Sequence, residues 1–451
     1  VCLNDIKGKN FLLMGLGLHG GGLAVAKFLL KHGGNLVITD LRNELELAPS
    51  IKSLQQFGNR IRYVLGYHDE DDFKSADIVI KNPGVSFENK YLKIAKRIET
   101  DISLFLMFNQ NPIIAITGTK GKSTLASLLH KVLVSKYPNA KLGGNIGVSP
   151  LSFLDKLDGI SPIVLELSSW QLHDLKSLYP IISIITNVYC DHQNYYPNFD
   201  SYIEDKSKIF VNQNSGILIA QDQAYYNYFS SFKSNLKIVL FSETMPLNFE
   251  NDIFYFKGGK VYLNNDVLSR FNESRLMLLI SKMIAFFVAS YLNLDLSVVS
   301  EIITGFDGIE HRLEFVREFE GVKYYNDTTS TIPDSTVLSV KSLRVDGEVI
   351  HLITGGTDKE LNFAIFGEIL GMVKTWILLR GNATLKIVKF LEDNNVNYFI
   401  FSSLEECIFC ARKISVQNDI VLFSPASASF ELFKNEFDRG IQFKNLVNSM
   451  A

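Results

Sequence analysis

The chain has 451 residues, too many for one hydrophobic core and, at roughly 100–200 residues per domain, enough for about three. A content of 47% hydrophobic against 21% charged residues describes a globular protein with ample core, and the net charge of −3 gives no basic footprint for nucleic acid. Four cysteines argue against a disulfide framework, and the opening V-C-L-N-D-I-K-G-K-N lacks the charged-then-apolar layout of a secretion signal, which predicts a reducing cytoplasm.

Asn10 to Met14 reads as a first strand, followed by Gly15-Leu16-Gly17-Leu18-His19-Gly20, a G-x-G-x-x-G turn ahead of an apolar helix. A second strand, 35–39, ends in Asp40 at the distance where an acid meets a nucleotide ribose, so this unit is expected to hold a dinucleotide or another diphosphate ligand. The run 76–84 is a third strand closing on the tight turn Asn82-Pro83-Gly84. The first domain is therefore placed at 1–100.

The organising stretch is 112–134, P-I-I-A-I-T-G-T-K-G-K-S-T followed by a helical run of leucines and valines. Strand, glycine turn and helix together form a phosphate cradle in which backbone N–H groups and the positive helix end face the anion. The cradle comprises Gly118, Thr119, Lys120, Gly121, Lys122, Ser123 and Thr124. Lys122 reaches the outer phosphates and Ser123 stands where a magnesium ligand belongs. The motif is a shortened G-x-x-G-K-[ST], because Ile116 occupies the position of the usual first glycine.

Next, Gly143-Gly144-Asn145-Ile146-Gly147 reads as a loop able to lie close to a ligand. Glu166, at the end of the apolar strand 162–165, is a carboxylate costly to bury without a cation, and a magnesium ligand fits that position. The strand 181–188 leads to Asp191-His192, where an imidazole could serve a second cation. The helix 202–210 follows, on which Lys206 taken alone is a solvated residue. The run 276–294 is interrupted by Ser281, Lys282, Ser290 and Asn293 and reads as a core helix rather than a membrane span. Beyond it, the strands around 322–325, 349–354 and 421–423 each end in a polar or glycine loop, predicting a further α/β sheet. Cys407 and Cys410 form a lone C-x-x-C on a helix, read as packing residues rather than zinc ligands.

The chain resembles the Mur ligases of peptidoglycan precursor synthesis, and within them the D-glutamate-adding branch. The resemblance rests on G-T-K-G-K-S-T, G-G-N-I-G, E-L-S-S-W-Q-L, T-N-V-Y-C-D-H, H-R-L-E, N-D-T-T-S-T, G-G-T-D-K and S-P-A-S-A-S-F in family order across all three segments. It implies three α/β domains: a Rossmann-like domain at 1–100 binding the UDP substrate, a central P-loop ATPase-type domain at 101–309, and a C-terminal Rossmann-like domain at 310–451 binding the amino acid. The implied reaction joins D-glutamate to UDP-N-acetylmuramoyl-L-alanine at the expense of ATP, through an acyl phosphate.

By the same resemblance Leu18, His19, Asp40, Arg42, Asn82 and Gly84 meet the uridine diphosphate, and Asn145 and Ser168 the muramoyl part. ATP is bound by 118–124 with Arg312 and Asp327, and the catalytic set is Lys122, Glu166, His192, Lys206 and Arg312. One magnesium lies on Ser123 and Glu166, and a second site uses His192 and a carbamylated Lys206, which requires a neutral amine. Thr331, Lys359, Ser429 and Phe433 match the D-glutamate pocket. Two positions depart from the family pattern: Thr329 stands where a lysine is common, and the helix from 276 lacks H-N-x-x-N, with Ser281 at the second asparagine. The expected partners are small molecules, with neither nucleic acid nor membrane, and the expected state is a monomer. The competing readings are a ligase of the same superfamily with another amino acid or folate, a nucleotide sensor, and a P-loop kinase.

Overall fold

The computed structural model describes residues 3–17, 20–86, 88–146, 148–189, 196–211, 213–242, 251–257, 260–264, 266–270, 276–343, 349–358, 361–429 and 432–450. They divide into two compact units, Val1–Phe271 with Lys282–Ile303, and Asn272–Ser281 with Thr304–Ala451.

The first unit carries two sheets. Asn10–Met14 (β1), Asn35–Asp40 (β2), Ile61–Leu65 (β3), Ile78–Lys81 (β4) and Ile98–Glu99 (β5) pair in parallel in the order β3-β2-β1-β4-β5. Chain direction across the sheet reverses between β1 and β4, and such a switch opens a crevice at the carboxyl ends of the strands. The second sheet is built from Ile113–Thr117 (β6), Lys141–Gly144 (β7), Ile163–Glu166 (β8), Ile182–Ile185 (β9), Ile217–Gln221 (β10), Lys237–Ser242 (β11), Asp252–Lys257 (β12), Lys260–Leu263 (β13) and Asp266–Arg270 (β14). Its order is β14-β13-β12-β11-β10-β9-β6-β8-β7, parallel from β12 to β7 and antiparallel at the β13 and β14 edge. Strands buried on both faces need continuous apolar runs, and β6, β8, β9 and β10 are buried at every residue. One apolar core runs from Ile6 and Phe11 through Phe105 to Leu165 and Ile253, which fuses the two sheets into a single unit.

In the second unit, Glu314–Phe319 (β15), Val322–Asn326 (β16), Ile350–Thr354 (β17), Val373–Leu379 (β18), Tyr398–Phe401 (β19) and Ile420–Phe423 (β20) form a sheet in the order β15-β16-β20-β17-β18-β19. All pairs are parallel except β15 with β16. Alternate residues feed opposite cores: Leu352, Leu378 and Leu422 pack on one face, Ile353, Ile377 and Val421 on the other. Each such side chain contributes roughly 1.5–3 kcal/mol of burial. Helix Leu404–Ile414 starts with a capping box, Ser403 with Glu406, and buries Cys407 in the second of these cores. Burial pushes the Cys407 thiol up to about 12, the behaviour of a packing residue.

The strands expected at 10–14, 35–39, 322–325, 349–354 and 421–423 are present within a residue or two, whereas the run 76–84 is a strand only over Ile78–Lys81 and 181–188 only over Ile182–Ile185. Residues 143 and 144, read as loop, instead end the edge strand β7, where Gly144 lies so close to β8 that a Cβ would come within 2.1 Å of the Glu166 carbonyl. The run from 276 is the helix Leu276–Tyr291, with Ser281 and Lys282 buried. Among the described residues no helix is long and apolar enough to cross a membrane.

Candidate active site

β6 ends at Thr117, and the chain turns through residues 118–121 into helix Lys122–Val134. Two glycines permit the turn. Gly118 has φ 142° and no room for a Cβ, which would lie 2.0 Å from Thr186 Oγ1, and Gly121 caps the helix at φ 80°. The segment after β9 clasps the loop from the side. Thr186 Oγ1 donates to the Lys120 carbonyl at 2.6 Å, and the Asn187 side chain donates to the same carbonyl at 3.1 Å while accepting the Lys120 N–H at 2.8 Å. The Tyr189 N–H donates to Thr119 Oγ1 at 3.0 Å, and the Tyr202 hydroxyl lies 3.0 Å from that oxygen.

Two ammonium groups converge here. Lys122 Nζ donates to the carbonyls of Gly118 and Thr119, both at 2.9 Å. Lys206 Nζ donates to the same Gly118 carbonyl at 3.0 Å and sits 4.4 Å from the Tyr202 ring centroid. Lys206 is only 1% exposed. Read alone it was expected in solvent, but helix Phe199–Ser207 turns this face under the phosphate loop. Cations gathered at a glycine turn favour an anionic ligand.

Glu166 closes β8 opposite Ile116 and is buried. Asn145 Nδ2 donates to its Oε1 at 3.0 Å, while Oε2 has no hydrogen-bond partner. A buried carboxylate oxygen without a donor fits a cation, and Ser123 is buried in the first turn of the helix behind it. Among the described residues no three His, Cys, Asp or Glu side chains converge as a metal cluster. His192 lies outside them, as do Leu18, His19 and Lys359.

A cavity of about 820 Å³ opens along the carboxyl edge of the first sheet. It gathers Asp40, Arg42, Asn82, Gly84 and Asn145 from the expected set, together with Lys81, His68 and Gln171, which sequence reasoning did not single out. Asp40 accepts the Gly17 N–H at 3.1 Å on one oxygen and the Arg42 N–H at 3.0 Å on the other, so it shapes the glycine loop. Asn82 does the same work across the switch, donating to the Gly15 carbonyl at 3.3 Å and accepting the Gly84 N–H at 3.1 Å. Lys81, 1% exposed, pairs with Asp174 at 2.8 Å. The preceding residue, His173, bonds Asp205 through Nδ1 at 2.8 Å. Burial raises the pKa of Asp205, but His173 and Lys208 outweigh it and hold the carboxyl below its usual range. Ser168 does not line the cavity. Its hydroxyl sits in a capping box with Gln171, and Gln171 is the member of that pair which lines the cavity.

In the second unit, Arg312 is exposed, and the loop carrying it is fixed from beneath. Asp327 Oδ1 accepts the Leu313 N–H at 3.0 Å, and Oδ2 accepts Ser339 Oγ at 2.6 Å and Ser424 Oγ at 2.8 Å. Burial pushes this carboxyl up, opposed by those donors. Arg439, fully buried, ties together the two turns that carry Thr331 and Ser429. It donates to Thr328 Oγ1 at 2.9 Å, to the Thr328 carbonyl at 2.8 Å, and to the carbonyls of Ser427 and Ala428 at 3.1 Å. Phe433 packs partly buried against the core beside them, and Thr329 Oγ1 donates to the His311 carbonyl at 2.9 Å.

Residues 9–103 match the model of the Mur ligase MurD-like N-terminal domain, and residues 116–277 that of the Mur ligase middle domain. The chain is 64% identical over 449 residues to a UDP-N-acetylmuramoylalanine--D-glutamate ligase of Borreliella burgdorferi (strain ZS7), covering 100% of both. The chain belongs to the Mur ligase family. A ligase of the same name from Treponema pallidum (strain Nichols) is 32% identical to this Mur ligase, covering 98% of each chain. Among solved structures, the UDP-N-acetylmuramate-alanine ligase MurC of Thermotoga maritima superposes with a TM-score of 0.58 at 19% identity, covering 98% of this chain and 99% of that one. MurF ligase from Thermotoga maritima in complex with ADP gives 0.59 at 15%, covering 100% and 97%. The fold is thus the three-domain α/β arrangement of the Mur ligases.

Four residues of this Mur ligase carry a signal visible in the sequence. The S-x-x-Q spacing of Ser168 and Gln171 is a capping box on sight. Lys81 ends an apolar strand, and Arg439 lies in the first turn of the helix Glu436–Asn448, each a cation at a buried position.

Proposed function

We propose that this Mur ligase joins D-glutamate to UDP-N-acetylmuramoyl-L-alanine, forming ADP and phosphate, in peptidoglycan precursor synthesis in the cytoplasm. The observation that carries the chemistry is the buried Glu166 oxygen left without a donor beside the phosphate loop. In this reading residues 118–124 cradle the ATP phosphates, and Lys122 leaves the loop carbonyls to meet the outer phosphoryl group. Ser123 and Glu166 hold one magnesium; His192 and Lys206, the latter carbamylated, hold a second. Magnesium supplies charge neutralisation on the transferring phosphoryl group.

The first-sheet cavity orients the nucleotide sugar, with Arg42 at its mouth, the glycine loop and the 82–84 turn against the diphosphate, and Asn145 toward the muramoyl group. That placement presents the L-alanyl carboxylate to the phosphoryl group, and the resulting acyl phosphate is attacked by the D-glutamate amine to give the amide and free phosphate. Thr331, Lys359, Ser429 and Phe433 hold D-glutamate, and Arg312 completes the ATP contacts, its loop set by Asp327. The protein works as a monomer in this reading.

The test is phosphate release from ATP in the presence of UDP-N-acetylmuramoyl-L-alanine and single amino acids. Release with D-glutamate alone is expected. Release with L-lysine or a diaminopimelate alone overturns the amino acid assignment, and a phosphorylated product that accumulates without any amine makes the protein a kinase.

A further inference from the structure

The first-sheet cavity has a direction. In a doubly wound sheet a diphosphate lies at the glycine loop and a ribose beside the acid that ends the second strand. Here those landmarks are residues 15–17 and Asp40, which line the cavity. A base carried on that ribose therefore falls beyond β2, toward the carboxyl end of β3. His68, three residues past Leu65, is the one residue from that strand end which lines the cavity among the described residues.

Its ring is fixed in one tautomer by a neighbour. Thr39 Oγ1 lies 2.7 Å from His68 Nδ1 and 3.1 Å from the Tyr67 carbonyl. A hydroxyl has one proton and a carbonyl only accepts, so both contacts are hydrogen bonds together only when Thr39 donates to Tyr67 and accepts from Nδ1–H. The proton on Nδ1 leaves Nε2 as a bare acceptor. Burial lowers the ring's pKa, against a smaller pull from Asp40, which keeps the imidazole neutral at pH 7. The ring edge packs at 5.9 Å on Phe73 and 5.3 Å on Tyr91, nearly perpendicular to both. Among the described residues no donor reaches Nε2.

We propose that His68 selects the base of the nucleotide sugar, its Nε2 accepting the imide N3–H of uracil. The inference rests on reading the cavity as a uridine diphosphate site. Uracil is a donor at N3, whereas cytosine carries a lone pair there, so a fixed acceptor distinguishes the two bases by one bond made or one repulsion incurred.

Calorimetric titration of the full chain with UDP, CDP and N3-methyl-UDP tests this without requiring turnover. The unsubstituted protein is expected to bind UDP about tenfold more tightly than either analogue. His68→Phe, which keeps the ring packing, is expected to weaken UDP about tenfold and to bind all three alike. His68→Gln, which can present an amide oxygen, is expected to regain part of the UDP preference, and it carries the test if the phenylalanine variant does not fold. An unsubstituted protein that fails to bind UDP, or a His68 variant that retains the full preference for UDP over N3-methyl-UDP, overturns the assignment. If the preference depends on His68 while no phosphate is released with D-glutamate, base selection stands and the ligase reading falls.

Discussion

The carboxyl edges of the second and third sheets carry similar furniture, a buried acid at a strand end and a buried cation nearby, yet they use it in opposite ways. Glu166 keeps one oxygen without a donor, and Lys122 and Lys206 crowd a single carbonyl of the phosphate loop. Asp327, by contrast, takes donors on both oxygens, and every bond of Arg439 goes to the turns at 328 and 427–428. Saturated polar groups build a scaffold, and unsaturated ones await a ligand.

The largest expected effect breaks or confirms this contrast directly. Glu166→Gln should lower kcat about a thousandfold while leaving urea stability equal or slightly higher, since a buried charge without a second donor is removed. Retained turnover would erase the distinction between the two edges. Lys206→Ala should likewise abolish turnover, with partial recovery on adding short carboxylic acids; turnover without them removes the carbamate from the mechanism.

Asp327→Ala should act on folding instead, costing about 3 kcal/mol in urea unfolding as Ser339, Ser424 and the Leu313 N–H lose their acceptor. The pH dependence of stability should also split by region. Asp205, beside the phosphate loop, has a lowered folded pKa, so its contribution is complete above the unfolded value of about 4 and is lost as pH falls through the folded one. Asp327 has a raised folded pKa, so its contribution is complete below about 4 and is lost as pH rises through the folded value. Unfolding free energies across the acid range should therefore show a shallower acid-side loss in Asp205→Asn and a shallower neutral-side loss in Asp327→Asn. The smallest effect is Ser168→Ala, about 1 kcal/mol from the lost helix cap with the KM for the nucleotide sugar unchanged; a raised KM would return Ser168 to the substrate.

Much of the fold was legible because its strands are apolar runs that end in glycine or polar turns, and the phosphate loop declares itself by strand, glycine and lysine together. The position of Glu166 was legible too, as a carboxylate closing a buried apolar strand. Lys206 was not, because its burial comes from a loop 88 residues earlier in the chain, and no local pattern encodes which helix face lands there. His68 escaped for a related reason: its environment is made by Thr39 and by rings at 73 and 91. Ser168 was assigned to the muramoyl group by family resemblance, while its capping partner stood three residues on, at Gln171.

His173 and Asp174 are neighbours in the chain, yet one holds Asp205 next to Lys206 and the other holds Lys81 at the edge of the first-sheet cavity. The seam between the glycine turn and the first-sheet cavity is thus one peptide bond wide. Inserting a single residue between them would rotate one anchor by about 100° relative to the other on a helical path, unfastening at least one compartment, so this stretch of chain has no slack in which its length can drift.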